Sequence, residues 1–459
     1  MAESKSLLLR GILLLAGVAV IAVLVLEVVR VGPPPIINIR PAVPVIGKRT
    51  PVTVELSEPS RGLSHVKVEF LQGDRVENLA EKDYNLPSAL SFWGAQTTQD
   101  TISLQVGRET ISGLKAGQAS IRVTAGRAGT WLRHPEPATQ EILLPVRLTP
   151  PTLQVVSKQT YIAQGGCEAV VYRVGESSVR DGVKAGNWWF PGYPLPGGGK
   201  GDRFAFFAVP YDMKTPDVRI VAVDAAENEA ELRFIDKFFP KKFKEDTVDL
   251  TDAFLSKVVP EIMGQTPELK DRGNLLDNYL VINVDLRQRN AEVLKELAQK
   301  SPREQLWDKP FLSMRNGKAM AGFADYRTYS CRGKVVDHQT HLGYDLAVTR
   351  RAPVPAANDG VVVQAKYFGI YGNCVIIDHG YGVMSLYGHL SSINVAAGQK
   401  VGRGDVIGLT GETGLAGGDH LHFAIILDGL PVNPVEWWDR HWIHDRIARK
   451  LGPGFRFSE

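Results

Sequence analysis

The 459-residue chain has little cysteine, three residues in all, and no two of them are spaced as CxxC. That excludes a disulfide-stapled fold, a cysteine metal knuckle and a dithiol redox motif. Cys374 lies in the apolar run CVII and reads as a small buried hydrophobe, while a bridge between Cys331 and Cys374 stays open in an oxidising compartment. Net charge is scarce too: 53 Lys and Arg stand against 50 Asp and Glu, a formal +3. So small an excess leaves no nucleic-acid footprint, and no nucleic-acid partner is expected, although it would not repel an anionic polymer. Charge is missing altogether from Gly11 to Leu26, sixteen residues, and no small-x-small cleavage site or cysteine for lipid attachment follows. The run is long for a signal peptide and slightly short of the about 20 residues of a membrane span. We read residues 1–31 as an uncleaved signal anchor in the inner membrane. Lys5 and Arg10 precede the span, so the positive-inside rule keeps the short N-terminus cytoplasmic and exports the bulk of the chain, although Arg30 and Arg40 weaken the contrast.

What is present is mainly short apolar-alternating runs between turn residues, the mark of a multidomain, mainly β chain. After a proline-rich stalk (GPPPIINIRPAVPVIGKRTPV), residues 32–149 carry such runs at 52–56, 66–71, 101–106, 119–125 and 143–148, and read as a β-sandwich. A second sandwich is expected over 150–237. Its closing VRIVAVDAAENEAELRF resembles the last hairpin of bacterial immunoglobulin-like domains. Within it, Trp188, Trp189, Phe190 and Tyr193 sit in the Gly/Pro-rich stretch NWWFPGYPLPGGGKG, which reads as a loop whose aromatics stack on sugar, contact a partner or cap the sandwich. The two sandwiches show no cluster of titratable residues and read as spacers or as docking modules for envelope protein partners. Residues 238–306 turn to helical spacing, with Asp249 or Thr251 as N-cap, and read as a helical linker packed on the region C-terminal to it. That region, 307–440, returns to strands with repeated Gly turns, an antiparallel pattern, and 441–459 reads as a C-terminal tail.

Histidine is concentrated in that last strand-rich region: eight of the ten lie at or after His338. HLGYDLAV sets His341 and Asp345 four apart around Gly343, and DHLHFAIIL sets His420 and His422 two apart. Even spacing in a strand puts both members of a pair on one face, leaving Leu421, Phe423, Ile425 and Leu427 for the core. Hydrolytic zinc sites take three ligands from His and Asp/Glu and keep a fourth position open. His341, Asp345 and one His of the HLH pair meet that need. The other His and His389, in SLYGHL, remain to act on water or on an oxyanion. Spacing alone does not say which His of the pair is which.

The segments HLGYDLA, GNCVIIDHGYG, SLYGHLS and GETGLAGGDHLHFAI, in order over about the last 130 residues, resemble the lysostaphin/LytM-type zinc endopeptidases of peptidoglycan. The resemblance implies an antiparallel β peptidase domain at 307–440 and one zinc ion held by His341, Asp345 and His422. It also implies that His389 and His420 are catalytic without being ligands, and that the substrate is the stem peptides of peptidoglycan. Tyr387 would be a bystander lining the groove, and His338, His379, His441 and His444 structural or exposed. Two other readings compete. A zinc D,D-carboxypeptidase also ends in HxH but needs a catalytic Glu shortly before it, where this chain has GLAGGD. A non-catalytic anchored scaffold or regulator of another wall hydrolase would bind through the sandwiches.

Overall fold

The computed structural model describes residues 2–29, 32–86, 96–130 and 133–458, with the side chains of the first helix described from Arg10 to Val25. Arg30 and Val31 of the expected anchor and its flank lie outside the described residues, as do the side chains of Lys5 and Leu26. The apolar run forms one helix, Ala2–Val29. Among the described residues no helix is long and apolar enough to cross a membrane.

By its internal contacts the chain divides into two compact units, residues 1–151 with 223–229, and residues 152–222 with 230–459. In the first unit a sheet of Ile36–Pro41, Thr50–Ser57 and Gln99–Val106 lies over a core shared with a second sheet. That second sheet runs in the order Arg75–Asp83, Leu63–Gln72, Gly117–Arg127, Ala138–Val146. Alternating burial along Thr50–Ser57 turns Val52, Val54 and Leu56 inward against Val66, Val68, Phe70, Ile121 and Val123. The strand Arg75–Asp83 has no apolar alternation to betray it; it forms by pairing its backbone along Leu63–Gln72.

In the second unit, Cys167–Val174 pairs with Asp202–Ala208 in one sheet. The Trp188 segment corrects the sequence reading. Trp188–Pro191 is a strand, not a loop, paired with Ser178–Ala185 so that Phe190 is fully buried while Trp188 and Trp189 stay half-buried. Aromatic residues tolerate the pleat, and the Gly/Pro signal belongs to the turns around it. The region 238–306 is also not wholly helical. Strands Lys237–Phe239 and Glu245–Asp249 pair in parallel with Tyr161–Ala163 and Asp325–Cys331. Helices Asp252–Gln265, Leu275–Val281 and Arg287–Ala298 come next, with a π-turn at Ile282–Leu286. Thr251 is the N-cap of the first, accepting from the Phe254 amide at 3.2 Å, and Asp249 is not.

The strand-rich region builds an antiparallel sheet in the order Lys318–Ala321, Tyr344–Ala347, Leu421–Leu427, Val383–Leu390, Asn373–Asp378, Gly360–Tyr367, Lys400–Val401. Leu421, Phe423, Ile425 and Leu427 enter a core that also holds Phe204, Phe206, Trp307 and Trp437. The opposite face is covered as well: Ala424 and Ile426 pack with Leu294 and Ala298 of the helix Arg287–Ala298. The segment read as a tail is a string of short helices whose Ile443, Ile447, Leu451 and Phe455 join the main core. All three cysteines are buried and free, so Cys331 and Cys374 are not bridged.

Candidate metal centre

Strand register assembles the site. Asp345 stands directly opposite His422, and Gly388 stands opposite His422 on its other side, so the centre of the site is one cross-strand rung. His341 ends the strand Lys334–His341, and His389 follows Gly388 where the pairing with Leu421–Leu427 stops. His389 has φ +63°, a left-handed conformation uncommon for a residue with a Cβ and concentrated at functional sites. Gly343 is obligatory: a Cβ there would lie 2.5 Å from both Cε1 and Nε2 of His422.

The resulting geometry is a tight triangle. Asp345 Oδ1 lies 3.0 Å from His341 Nε2 and 2.9 Å from His422 Nδ1, and those nitrogens are 3.1 Å apart. A tetrahedral ion with bonds of about 2.0–2.1 Å spaces its ligand atoms at about 3.3 Å, so the triangle is of the right size for a metal. Its chemistry agrees. His341 Nδ1 donates to the Gly322 carbonyl at 2.8 Å, so in the neutral ring Nε2 presents a bare lone pair. The His341 lone pair, the Asp345 carboxylate and Nδ1 of His422 converge on one point, a donor set that suits a cation. All three residues are buried.

Arg327 completes the centre. Its Nη2 donates to Asp345 Oδ2 at 3.1 Å and so reserves Oδ1 for the triangle. Burial alone would raise the Asp345 carboxyl, but the charge and hydrogen bonding of His341, with those of His420 and His422, hold it well below the usual carboxylate range. Burial pushes His422 down to about 4 against the pull of Asp345. His389 is pushed well below its ordinary value by burial and then by the neighbouring His420 and His422 rings. His420 is raised: burial opposes its charge, but Asp345 outweighs it.

The two remaining histidines flank the triangle. His389 Nδ1 donates to Thr413 O and His420 Nδ1 to Gly418 O, each at 2.8 Å, so both turn their Nε2 away from these carbonyls. The rings are 4.8 Å apart, and His420 Nε2 is 3.5 Å from Asp345 Oδ1. All five sequence-derived residues therefore line one cavity of about 130 Å³, together with Arg287, Arg327, Tyr371 and Leu415. Asp345 is the one acid among its described lining residues. Asp419, in the stretch where a carboxypeptidase carries its Glu, instead accepts from Thr410 Oγ1 at 2.6 Å and the Arg351 amide at 3.1 Å.

Tyr387 is corrected by the structure: it does not line the cavity but lies on the opposite face of the sheet, its hydroxyl accepting from the Ala357 amide at 2.7 Å. The buried His379 is structural, tied to Asp359 O and Ser385 Oγ, both at 2.7 Å, and pushed down to about 4 by burial. Sequence reasoning missed Arg327, Arg287 and Tyr371. Arg327 is one of 53 cations with no local motif, and only its strand's register brings it to Asp345. Tyr371, in FGIYGN, sits 5.4 Å ring to ring from His422.

The chain is similar to known proteins over part of its length. The peptidoglycan DD-endopeptidase ShyA of Vibrio cholerae serotype O1 is 34% identical over 172 residues, 38% of this chain and 37% of that protein. The DD-carboxypeptidase/endopeptidase Mpg of Neisseria meningitidis serogroup B is 46% identical over 95 residues, 21% of this chain and 22% of that protein. The chain thus spans well under half the length of these curated relatives. The crystal structure of a zinc-containing peptidase from Vibrio cholerae aligns with 87% of this chain and 80% of that one, at 14% identity and a TM-score of 0.26. The segment that carries the whole triangle and both flanking histidines, residues 339–434, matches the model of Peptidase family M23.

Proposed function

We propose that this protein is a zinc-dependent endopeptidase that hydrolyses peptide crosslinks of peptidoglycan. The observation that carries the reading is the buried triangle of His341, Asp345 and His422 with two further histidines over one small cavity, inside a segment matching a peptidase family. His341 Nε2, Asp345 Oδ1 and His422 Nδ1 would hold the ion. Bound there, zinc supplies Lewis acidity toward water and the scissile carbonyl.

The chain's own residues do the rest. Because Nδ1 of His389 and of His420 is committed to a backbone carbonyl, each neutral ring offers Nε2 as a proton acceptor and, once protonated, as a donor to the oxyanion. No second carboxylate among the described lining residues competes for this role, which favours histidine-based proton transfer over the glutamate chemistry of a D,D-carboxypeptidase. Arg327 orients Asp345, and Gly343 makes room for His422. The names of the relatives support a peptidoglycan substrate and cleavage between D-amino acids. We further propose that the uncharged run in the helix Ala2–Val29 anchors the chain in the inner membrane with the catalytic end exported, a reading supported by the exposure of its apolar side chains, Leu13 to Leu15 among them.

The test is digestion of isolated peptidoglycan by the purified protein, with mass analysis of the fragments before and after chelation and after zinc is restored. Loss of crosslinked dimers with matching gain of monomeric peptides, abolished by chelator and recovered with zinc, is expected. Digestion unaffected by chelation, or release of terminal residues without loss of crosslinks, would overturn it.

A further inference from the structure

The cavity at the metal centre does not end there. Arg287, Tyr371 and His422 line it and also line an adjoining cavity of about 230 Å³, whose walls include Trp188 and Lys295. Trp188 and Lys295 in turn line a wider cavity of about 600 Å³. Each cavity shares walls with the next, so the three adjoin in a row from the catalytic histidines to the strand Trp188–Pro191.

The wide end has a distinctive chemistry. Trp188, Trp189 and Tyr193 supply aromatic surface, and Asn187, Gln299 and Asp428 supply amides and a carboxyl. The register that buries Phe190 opposite Val183 pins the strand and holds the two tryptophans half-exposed. Trp189 lies over Gly182, where a Cβ would sit 2.7 Å from its ring. The nearby cations are turned toward the rings: Lys295 Nζ is 4.4 Å from the Trp188 ring centre and the Arg180 guanidinium 5.2 Å from that of Trp189.

We infer that the wide cavity is a saccharide subsite that holds N-acetylhexosamine units of a glycan strand while the peptide attached to that strand passes through the narrower middle cavity to the metal centre. Pyranose rings present C–H faces that pack on indole, and their hydroxyl and acetamido groups need amide and carboxyl partners, which is the mixture found here. A volume of about 600 Å³ falls within the about 300–1,000 Å³ of small-ligand sites, and the narrow middle suits an extended peptide. The inference rests on the peptidoglycan reading above, and it gives the strand Trp188–Pro191 and the end of the helix Arg287–Ala298 a role in choosing substrate.

The test uses the full-length chain in a sugar-free detergent with two probes. The first is a β-1,4-linked N-acetylglucosamine tetramer, with no peptide, titrated against tryptophan fluorescence. The second is a pair of crosslinked peptides, one bearing its disaccharides and one stripped of them. Tetramer binding is expected in the parent and in His420→Ala alike, weakened at least tenfold in Trp189→Ala and in the exposed-site double variant Asn187→Ala/Gln299→Ala, and largely restored in Trp189→Tyr. KM for the sugar-bearing substrate should rise about tenfold in those weakened variants with kcat held, while cleavage of the stripped peptide stays unchanged. No tetramer binding by the parent, undiminished binding in both weakened variants, or equal loss on both peptides would overturn the inference, the last by assigning the trough to peptide. If the parent binds tetramer but cleaves neither peptide, the endopeptidase reading fails and the saccharide subsite stands.

Discussion

The two regions read from sequence as similar β-sandwiches differ in where their cores end. The first, within residues 1–151, closes on itself: Val52, Val54, Val66, Val68, Phe70, Ile121 and Val123 form a core of their own. The second does not. Phe204, Phe206 and Tyr193 meet Tyr381 of the segment that matches Peptidase family M23 at ring separations of 5.1, 6.3 and 4.7 Å, and Phe206 meets Phe455 at 6.3 Å. The same alternating pattern therefore makes a self-contained module in one case and one wall of the body that carries the metal site in the other. The difference lies in the number of rings, because Tyr193, Phe204 and Phe206 together reach Tyr381 and Phe455 beyond their own sheet.

The largest effect that could break this comparison comes from truncation. A chain beginning at Thr152 should fold, bind metal and cleave, whereas one beginning at Trp307 should be insoluble or molten. The latter exposes the faces of Tyr381 and Phe455 together with the surface covered by Leu294 and Ala298. The sequence alone suggests that the residues from Trp307 onward fold independently, since every candidate catalytic residue lies there; the shared core argues otherwise. Circular dichroism and bound metal on both fragments decide it, and a folded, active chain from Trp307 would remove the distinction.

Next in size is a change confined to the site. Gly343→Ala places a methyl 2.5 Å from the His422 ring and should lower metal affinity more than tenfold without unfolding the chain, while Gly264→Ala, with open space around it, should be silent. Competition with a metallochromic chelator measures both. A smaller effect separates the two cores directly. Phe70→Ala and Phe206→Ala each remove a buried ring at a cost of about 3–5 kcal/mol. Only Phe206→Ala should bring forward the temperature at which cleavage is lost, because Phe70 belongs to the self-contained core.

The smallest expected effect is in pH dependence. Burial pushes the Glu436 carboxyl up to about 8 from near 4.5, aided by the neighbouring Glu168 against the Cys167 amide that donates to it. The folded state therefore holds this proton more tightly than the unfolded one. Its contribution to stability is full below about pH 4.5 and is lost as pH rises through about 8. Glu436→Gln should melt close to the parent at pH 5 and above it at pH 8.5; an equal gap at both pH values would contradict the burial of a titrating acid there.

Much of the site was legible because it is written in local spacing. His341 with Asp345, and His420 with His422, follow from strand alternation, and the aliphatic run after His422 fixed which face was core. What alternation cannot express is contact between segments far apart in the chain. Arg327 reaches Asp345 only through the pairing of Asp325 with His341. Arg287 reaches the cavity on a helix whose own pattern shows an apolar stripe and no ligand spacing. The Gly and Pro around Trp188 and Trp189 suggest a loop, although their bulk and the pairing with Ser178–Ala185 favour a strand. Likewise Arg75–Asp83 is too polar to announce itself and is a strand because its neighbour is one.

The central claim, that His422 belongs to the metal triangle and His420 stands beside it, is tested most directly by zinc stoichiometry and crosslink cleavage measured together on His420→Ala and His422→Ala. His422→Ala should lose bound zinc and activity together, because Nδ1 is one of the triangle's three corners. His420→Ala should keep about one zinc per chain and lose roughly 10²-fold or more in kcat, the scale of general acid–base catalysis. Retention of zinc in His422→Ala with its loss in His420→Ala would reverse the two roles and contradict the account.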